Sequence, residues 1–301
     1  MSLVKKNVLI TGASRGLGKE LARYLWDKGA NLILVSKNLD VLRCTLNDLT
    51  VRYKQKVEYI PCDLGDENSL LNLIENLKNI EIDAIINNAA IQGPIGALQS
   101  NDWSEWRQTI QVNLLSPVFI CHSLIPQMLA RKLPGGGSII NLSGGGVTAP
   151  RPNFSAYATA KSGLVSFTAT LAEELKDTNI RVNSIAPGPM PTDMLQKVLE
   201  SGESNAGNNE IRSAEKIFNQ STNSFLLVAE LCEFLISEKS RNITGKLISA
   251  LWDKWEDFDK LPLEVVNSDI YTLRRIVEYD RAEFLSKFKV ATLLPGGKSV
   301  H

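Results

Sequence analysis

The alternation of short apolar runs with longer amphipathic stretches restricts the fold of this chain most. NVLIT (7–11), NLILVS (31–36), VEYIPC (57–62), DAIINN (83–88), GSIINLS (137–143), IRVNSIAP (180–187) and GKLIS (245–249) read as strands. Most are rich in β-branched residues and apolar on both faces, the pattern of strands buried within a parallel sheet. Helix-length segments lie between them, near 17–28, 39–54, 66–78, 102–131, 156–177, 190–200 and 222–238. The class this predicts is α/β, with a parallel sheet flanked by helices on both faces.

Two stretches interrupt the rhythm. SGESNAGNNE (201–210) is small and polar, and is expected to be a mobile loop between the sixth strand and the next helix. Beyond about Ala250 the chain turns aromatic and charged, and it ends in PGGKSVH without periodicity. The expected organisation is one domain over 1–249 and a C-terminal extension over 250–301. The extension would pack on the domain or at an interface, with its end frayed. Trp252 and Trp255 within it read as core or interface aromatics, or as the lining of a substrate mouth. Asn101 or Asp102 is the expected N-cap of the helix carrying Trp103 and Trp106.

Charge narrows the partners. Lys plus Arg and Asp plus Glu are equal at 33 each, so no net field draws the chain to nucleic acid or an anionic membrane. MSLVKKNVLITG runs straight into a strand without a leader pattern, and no apolar run reads as a membrane span. The expectation is a cytoplasmic protein with no nucleic-acid and no membrane partner. Cys44, Cys62, Cys121 and Cys232 form no CxxC pair and fit reduced thiols. The two histidines, His122 and His301, argue against a histidine metal centre or a Ser–His triad, so no metal is expected. Cys121 and His122 read as satisfied core or interface residues.

LITGASRGLGKELARYL places glycines at 12, 16 and 18 directly between the first strand and the first helix. Backbone approaches a phosphate closely only where no Cβ intervenes, and a helix N-terminus offers unpaired N–H groups and partial positive charge. The loop as a whole (Gly12, Ser14, Arg15, Gly16, Leu17, Gly18) is therefore expected to hold a dinucleotide. At the end of the second strand, the acid that would accept from a ribose 2′-hydroxyl is missing; Ser36, Lys37 and Asn38 stand there. Lys37 and Arg15 would attract a 2′-phosphate instead. NADP(H) is the expected cofactor, with NAD(H) as the alternative.

SAYATAKSG (155–163) sets Tyr157 and Lys161 four residues apart, one above the other on a helix face. By itself this fits a surface pair on an Ala-rich helix as well as a phenol tuned by a neighbouring ammonium.

Six motifs then occur together: TGASRGLG (11–18), CDL (62–64), NNAA (87–90), VNL (112–114), YATAK (157–161) and PGPMPTDM (187–194). Over about residues 5–248 the chain resembles the shorter, single-domain branch of the short-chain dehydrogenase/reductases. That resemblance implies a doubly wound, Rossmann-type sheet of about seven strands, a small-molecule substrate, and a homodimer or homotetramer. It implies that Asp63 and Leu64 hold the adenine and that Asn87, Asn88 and Ala89 line the cofactor crevice. Ile185, Pro187, Gly188 and Thr192 would border the nicotinamide. Tyr157 would be the general acid/base, and Lys161 would draw its pKa down and bind the nicotinamide ribose. Asn113 would hold a water linking the lysine to solvent. The family's NNAG is NNAA here, with Ala90 in the glycine place.

One family position departs. Counting back thirteen from Tyr157, where the family carries a serine on the substrate oxygen, reaches Gly144; Ser143 lies one position earlier. Either the loop is one residue longer and Ser143 takes the role, or the oxygen is held by Thr148, a backbone N–H or Tyr157 alone. The expected function is NADP(H)-dependent interconversion of a carbonyl and a secondary alcohol. The alternative is a non-catalytic dinucleotide-binding sensor or scaffold that retains the fold.

Overall fold

A computed structural model describes residues 3–277, apart from 46, 48–50, 52, 132–134 and 220–223, together with Asp280. Its strands are β1 (Asn7–Thr11), β2 (Asn31–Ser36), β3 (Val57–Pro61), β4 (Ala84–Asn87), β5 (Gly137–Leu142), β6 (Ile180–Ala186) and β7 (Leu247–Ser249). They form one parallel sheet of seven in the order β3-β2-β1-β4-β5-β6-β7. The winding direction reverses between β1 and β4. A crevice therefore opens beyond the carboxyl ends of these strands, where ligands of such sheets bind.

Doubly apolar strands are explained by where alternate residues go. Val8, Ile10, Leu32, Leu34 and Ile86 pack with Leu21 and Leu25 of α1 (Gly16–Asp27) and with Phe234 and Leu235 of α9 (Ser224–Ile236). Their neighbours Leu9, Ile33, Val35 and Ile85 point the other way. There they meet Leu70 and Leu73 of α3 (Glu67–Leu77), Leu124 of α5 (Ser116–Ala130) and Leu171 of α6 (Ser155–Glu174). Helices shield both faces, so neither register of a strand can be polar.

The helical stretch expected over 39–54 is α2, Leu39–Arg43, and part of the rest of that range lies outside the described residues. Asn38 begins it: its Oδ1 accepts from the backbone N–H of Asp40 and Val41 at 3.0 and 3.1 Å. Likewise Asp102 caps α4 (Trp103–Ile110) by accepting from Glu105 N–H at 2.8 Å. From there a π-helical turn, Gln111–Leu115, leads straight into α5. This corrects the reading that no run reaches membrane length. Trp103–Ala130 is long and apolar enough to cross one, with mean hydropathy 1.4 over its best window. Here its apolar side is used in the fold, where Ile120, Cys121, Leu124 and Met128 are buried. Trp103 is exposed and stacks on Trp106, ring centroids 5.1 Å apart. Cys121 is buried as expected, whereas His122 is exposed.

The expectation of a loop over 201–210 is also corrected. Residues Asp193–Ala206 form α7, bent at Gly202, and Asn208–Asn219 form α8. Polar composition misled because the few apolar residues are placed for burial. Ala206, Ile211 and Ala214 join Val198 and the fully buried Phe154 in a cluster separate from the two sheet cores. Gly202 (φ 72, ψ 169) and Gly207 (φ 91, ψ 146) take up the backbone turns that Cβ-bearing residues resist.

Past β7 the chain stays on the fold. Trp255, Phe258 and Val266 are buried in the same cluster as α1 and α9, and Leu247 N–H donates to Tyr271 O at 2.7 Å. Trp252 is 74% exposed.

Candidate active site

The β1–α1 turn is shaped by absent side chains. Gly12 has φ +67, and a Cβ on it would come within 2.8 Å of Ala89 Cα. A Cβ on Gly18 would fall 2.1 Å from Gly12 O, so the first helical turn could not lie against the loop. Asn88 fastens the same turn: its Nδ2 donates to Thr11 O at 2.9 Å, and its backbone N–H donates to Thr11 Oγ1 at 3.1 Å. The result is a backbone cradle at a helix N-terminus.

The cradle opens into a cavity of about 340 Å³. Gly12, Ser14, Arg15, Gly16, Leu17 and Gly18 form one end, with Ser36, Lys37, Asp63 and Leu64 beside them. Asn88, Ala89, Ser143, Tyr157, Lys161, Pro187 and Thr192 line the rest. Four expected residues are not in its lining; of these Ile185 is fully buried in the sheet core. Asn87 is buried inside the sheet, where its Nδ2 donates to Asn141 Oδ1 at 2.8 Å. Gly188 (φ +75) sits against Leu251, whose Cδ1 would be 2.3 Å from a Cβ there. Asn113 has both ends of its amide engaged by Ile91, donating to its carbonyl and accepting from its N–H, each at 2.8 Å.

At the β2 end the two expected cations each hold an acid. Lys37 Nζ lies 2.6 Å from Asp63 Oδ2, and Arg15 Nη1 lies 3.0 Å from Asp193 Oδ2. Hydrogen bonding to Lys37 keeps the Asp63 carboxyl below its ordinary range despite partial burial. Both pairs are largely exposed and thus weakly held. Ser14 and Ser36 hydroxyls share a hydrogen bond of 2.7 Å between the two cations' loops.

Tyr157 and Lys161 both rise from the first two turns of α6 and are buried. Lys161 Nζ donates to Leu142 O at the end of β5, at 2.7 Å, and lies 6.0 Å from the centre of the Tyr157 ring. Burial brings the Lys161 ammonium down to about 8. Burial also pushes the Tyr157 phenol up, and the Arg151 charge opposes this. The ammonium faces a carbonyl and is itself partly discharged near neutral pH.

A profile of the family described as short chain dehydrogenase matches residues 6–203. The chain belongs to the short-chain dehydrogenase/reductase family. The 3-oxoacyl-(acyl-carrier-protein) reductase FabG of Chlamydia muridarum (strain MoPn / Nigg) is 30% identical over 249 residues, covering 82% of this chain and 96% of that one. Dehydrogenase/reductase SDR family member 4 of Homo sapiens is 28% identical over 251 residues, covering 82% and 86%. Among solved structures, levodione reductase superposes with a TM-score of 0.71 at 25% identity, covering 82% of this chain and 96% of its own. This short-chain dehydrogenase is an oxidoreductase acting on CH–OH or C=O groups with a nicotinamide dinucleotide.

Two further features mark the site of this short-chain dehydrogenase. A Cβ on Gly144 would lie 2.4 Å from the Tyr157 hydroxyl, so no side chain fits at the serine register while the phenol keeps this seat. Ser143 does line the cavity, and its buried Oγ has no hydrogen-bond partner among the described residues. The second feature is Arg151, which sequence reading passed over. Its guanidinium stacks on Phe154 and grips Glu210, and only the folded α7–α8 hairpin brings Glu210 to it. A lone arginine in a Pro- and Gly-rich segment carries no sequence signal of such a contact.

Proposed function

We propose that this protein is an NADP(H)-dependent enzyme that interconverts a small-molecule carbonyl and its secondary alcohol, with Tyr157 as general acid/base. What supports this most is the seating of the buried Tyr157–Lys161 pair on the wall of the cavity that begins at the glycine cradle. Membership of the family supports a homodimer or homotetramer, and the free thiols of Cys44, Cys62, Cys121 and Cys232 support a cytoplasmic location.

The residues present fit the dinucleotide: the cradle is space that a Cβ at Gly12 or Gly18 would fill. Gly12 to Gly18 would hold the phosphates, Asp63 and Leu64 the adenine, and Asn88 and Ala89 the crevice wall. Pro187 and Thr192 would border the nicotinamide, and Lys161 its ribose. The preference for NADP(H) rests on the lack of an acid at 36–38 and on the exposed cations Arg15 and Lys37, whose acid partners a 2′-phosphate can displace. When bound, the cofactor supplies or accepts hydride.

In the reducing direction Tyr157 gives its proton to the carbonyl oxygen as negative charge develops there. Ser143 is the group assigned to hold that oxygen, because its unpartnered hydroxyl at the cavity wall has a hydrogen bond to give. Lys161, fixed by Leu142 O, keeps a cationic donor beneath the phenol.

Titration with NADPH and with NADH, followed by nicotinamide fluorescence, tests the cofactor. A panel of carbonyl compounds offered to wild type and to Tyr157→Phe tests the chemistry. Tighter NADPH binding, with turnover lost in the variant and binding kept, is the expected result. Binding without turnover across the panel would favour the binding-only reading, for which Gly144 at the serine register is the supporting observation. Binding of neither nucleotide would refute both.

A further inference from the structure

Arg151 sits between the catalytic helix and the α7–α8 hairpin. Its Nε and Nη2 donate to Glu210 Oε1 and Oε2 at 3.0 and 2.8 Å, a two-pronged grip from α8. The pair is mostly shielded, with side-chain exposures of 17% and 29%. The guanidinium carbon lies 3.8 Å from the centre of the Phe154 ring and 5.9 Å from that of Tyr157. Gly146 lies against it, where a Cβ would come within 3.3 Å of Arg151 Cβ, and Gly145 leaves ordinary contact distance to its side chain. Phe154, immediately before α6, packs on Ile211 and Ala214 of α8, so apolar contact and ion pair join the same two segments.

We propose that Arg151, gripped by Glu210, is a positioning residue for Tyr157: it holds a fixed positive charge beside the phenol and makes that charge depend on the seating of α8. This rests on Tyr157 being the proton-transfer group. The serine register is empty at Gly144, and the Lys161 ammonium is turned to Leu142 O. Arg151 is a second cation beside the phenol, its guanidinium carbon 5.9 Å and Lys161 Nζ 6.0 Å from the Tyr157 ring centre, and its field opposes the cost of burying a phenolate. An opposite charge at 4–6 Å typically moves such a group by 1–3 pH units. Arginine suits the place because its fork can be held two-handed by a carboxylate while its flat face stays on an aromatic ring.

The other charged groups around Tyr157 come from several elements. Lys161 shares its helix, Glu210 faces Arg151 from α8, and Lys197 and Asp193 of α7 line the cavity with Arg15, Lys37 and Asp63. The Lys161 ammonium titrates closest to this range, at about 8. The test therefore reads Tyr157 alone and needs no turnover. Placing 3-fluorotyrosine at position 157 lowers the phenol's titration range, and ring rotation lets the single fluorine avoid the Gly144 edge. The ¹⁹F shift is followed against pH in the otherwise unchanged protein and in Arg151→Met, Arg151→Lys and Glu210→Gln, all in a Lys161→Met background to remove the second titration.

Loss of the charge in Arg151→Met should raise the midpoint by roughly one pH unit. Arg151→Lys should bring it back toward the unmodified value, which a strut role for the guanidinium fork would not do. Glu210→Gln leaves an amide to hold the fork but removes the opposing charge, and should lower the midpoint. An unchanged midpoint in Arg151→Met with a folded-state signal overturns the proposal. If that variant unfolds, an unchanged or raised midpoint in Glu210→Gln overturns it instead. Loss of turnover in Tyr157→Phe tests the catalytic reading separately, so either idea can fail without the other.

Discussion

The hydroxyl of Tyr157 lies 2.4 Å from where a Cβ on Gly144 would be, and its Cε1 lies 2.7 Å from the same point. The two residues are complementary: the phenol reaches the end of β5 because residue 144 has no side chain. The family's serine and this seat for Tyr157 exclude one another in this fold.

Restoring the family residue should therefore do harm. Gly144→Ser is expected to destabilise the protein by about 1–3 kcal/mol, the usual cost of overpacking a filled site. It should also lower turnover, because Tyr157 must leave its present seat. Gly144→Ala shares the Cβ and should share both losses. Thermal unfolding and turnover of the pair decide it; two variants as stable and active as wild type would mean that the phenol has a second seat.

Ser143 offers the opposite combination of effects. Its buried Oγ has no hydrogen-bond partner among the described residues. Removing such a group is close to neutral for stability or a gain, since an unmet buried polar group costs about 1–3 kcal/mol. If Ser143 donates to the substrate oxygen, Ser143→Ala should lose on the order of 10²–10³ in kcat. Equal kcat in the variant would pass the role to Thr148 or to a backbone N–H.

Cofactor choice should turn on Lys37. Lys37→Asp removes a donor for a 2′-phosphate and supplies the acid that favours an unmodified ribose. The expected outcome is a loss of NADPH affinity of roughly tenfold or more, the scale of one lost charge-assisted contact, with NADH binding kept or improved. Nicotinamide fluorescence titrations at two salt concentrations measure it. An NADPH affinity equal to wild type would pass the preference for the phosphate to Arg15.

The sheet was legible because strands buried on both faces leave a dense apolar signature. NVLIT and NLILVS coincide with β1 and β2 to the residue. The glycine turn was legible for a related reason: glycine is the residue with no alternative where φ is +67 and backbone touches backbone, as at Gly12. The α7–α8 hairpin was not. Its buried residues, Ala206, Ile211 and Ala214, are few and sit among Ser, Asn, Gly and Glu, so no periodic stripe marks them. Nor could spacing show the electrostatics of Tyr157. Four residues of helix put Lys161 below it, but the Leu142 carbonyl that turns the ammonium aside, and the Glu210 that holds Arg151 in place, come from other elements.

Lys161 gives a pH dependence of known sign. In the folded chain burial takes its ammonium from 10.5 down to about 8. Between these values the unfolded chain binds a proton that the folded chain does not, so stability contributed by this group rises with pH across that window. Below it the full penalty of a buried cation applies, about 3 kcal/mol for a shift of this size. Tyr157 works against the trend at the upper end, because burial makes the folded phenol hold its proton after the unfolded one has lost it. The comparison is therefore best made in a Tyr157→Phe background. There, denaturant unfolding at pH 7, 8, 9 and 10 should show the Lys161 protein gaining stability relative to Lys161→Met as pH rises past 8. The variant itself forfeits the hydrogen bond to Leu142 O, which adds an offset that does not vary with pH. The slope, not the offset, reports the buried ammonium; a difference that stays flat from pH 7 to 10 would mean that Lys161 titrates as a solvated lysine does.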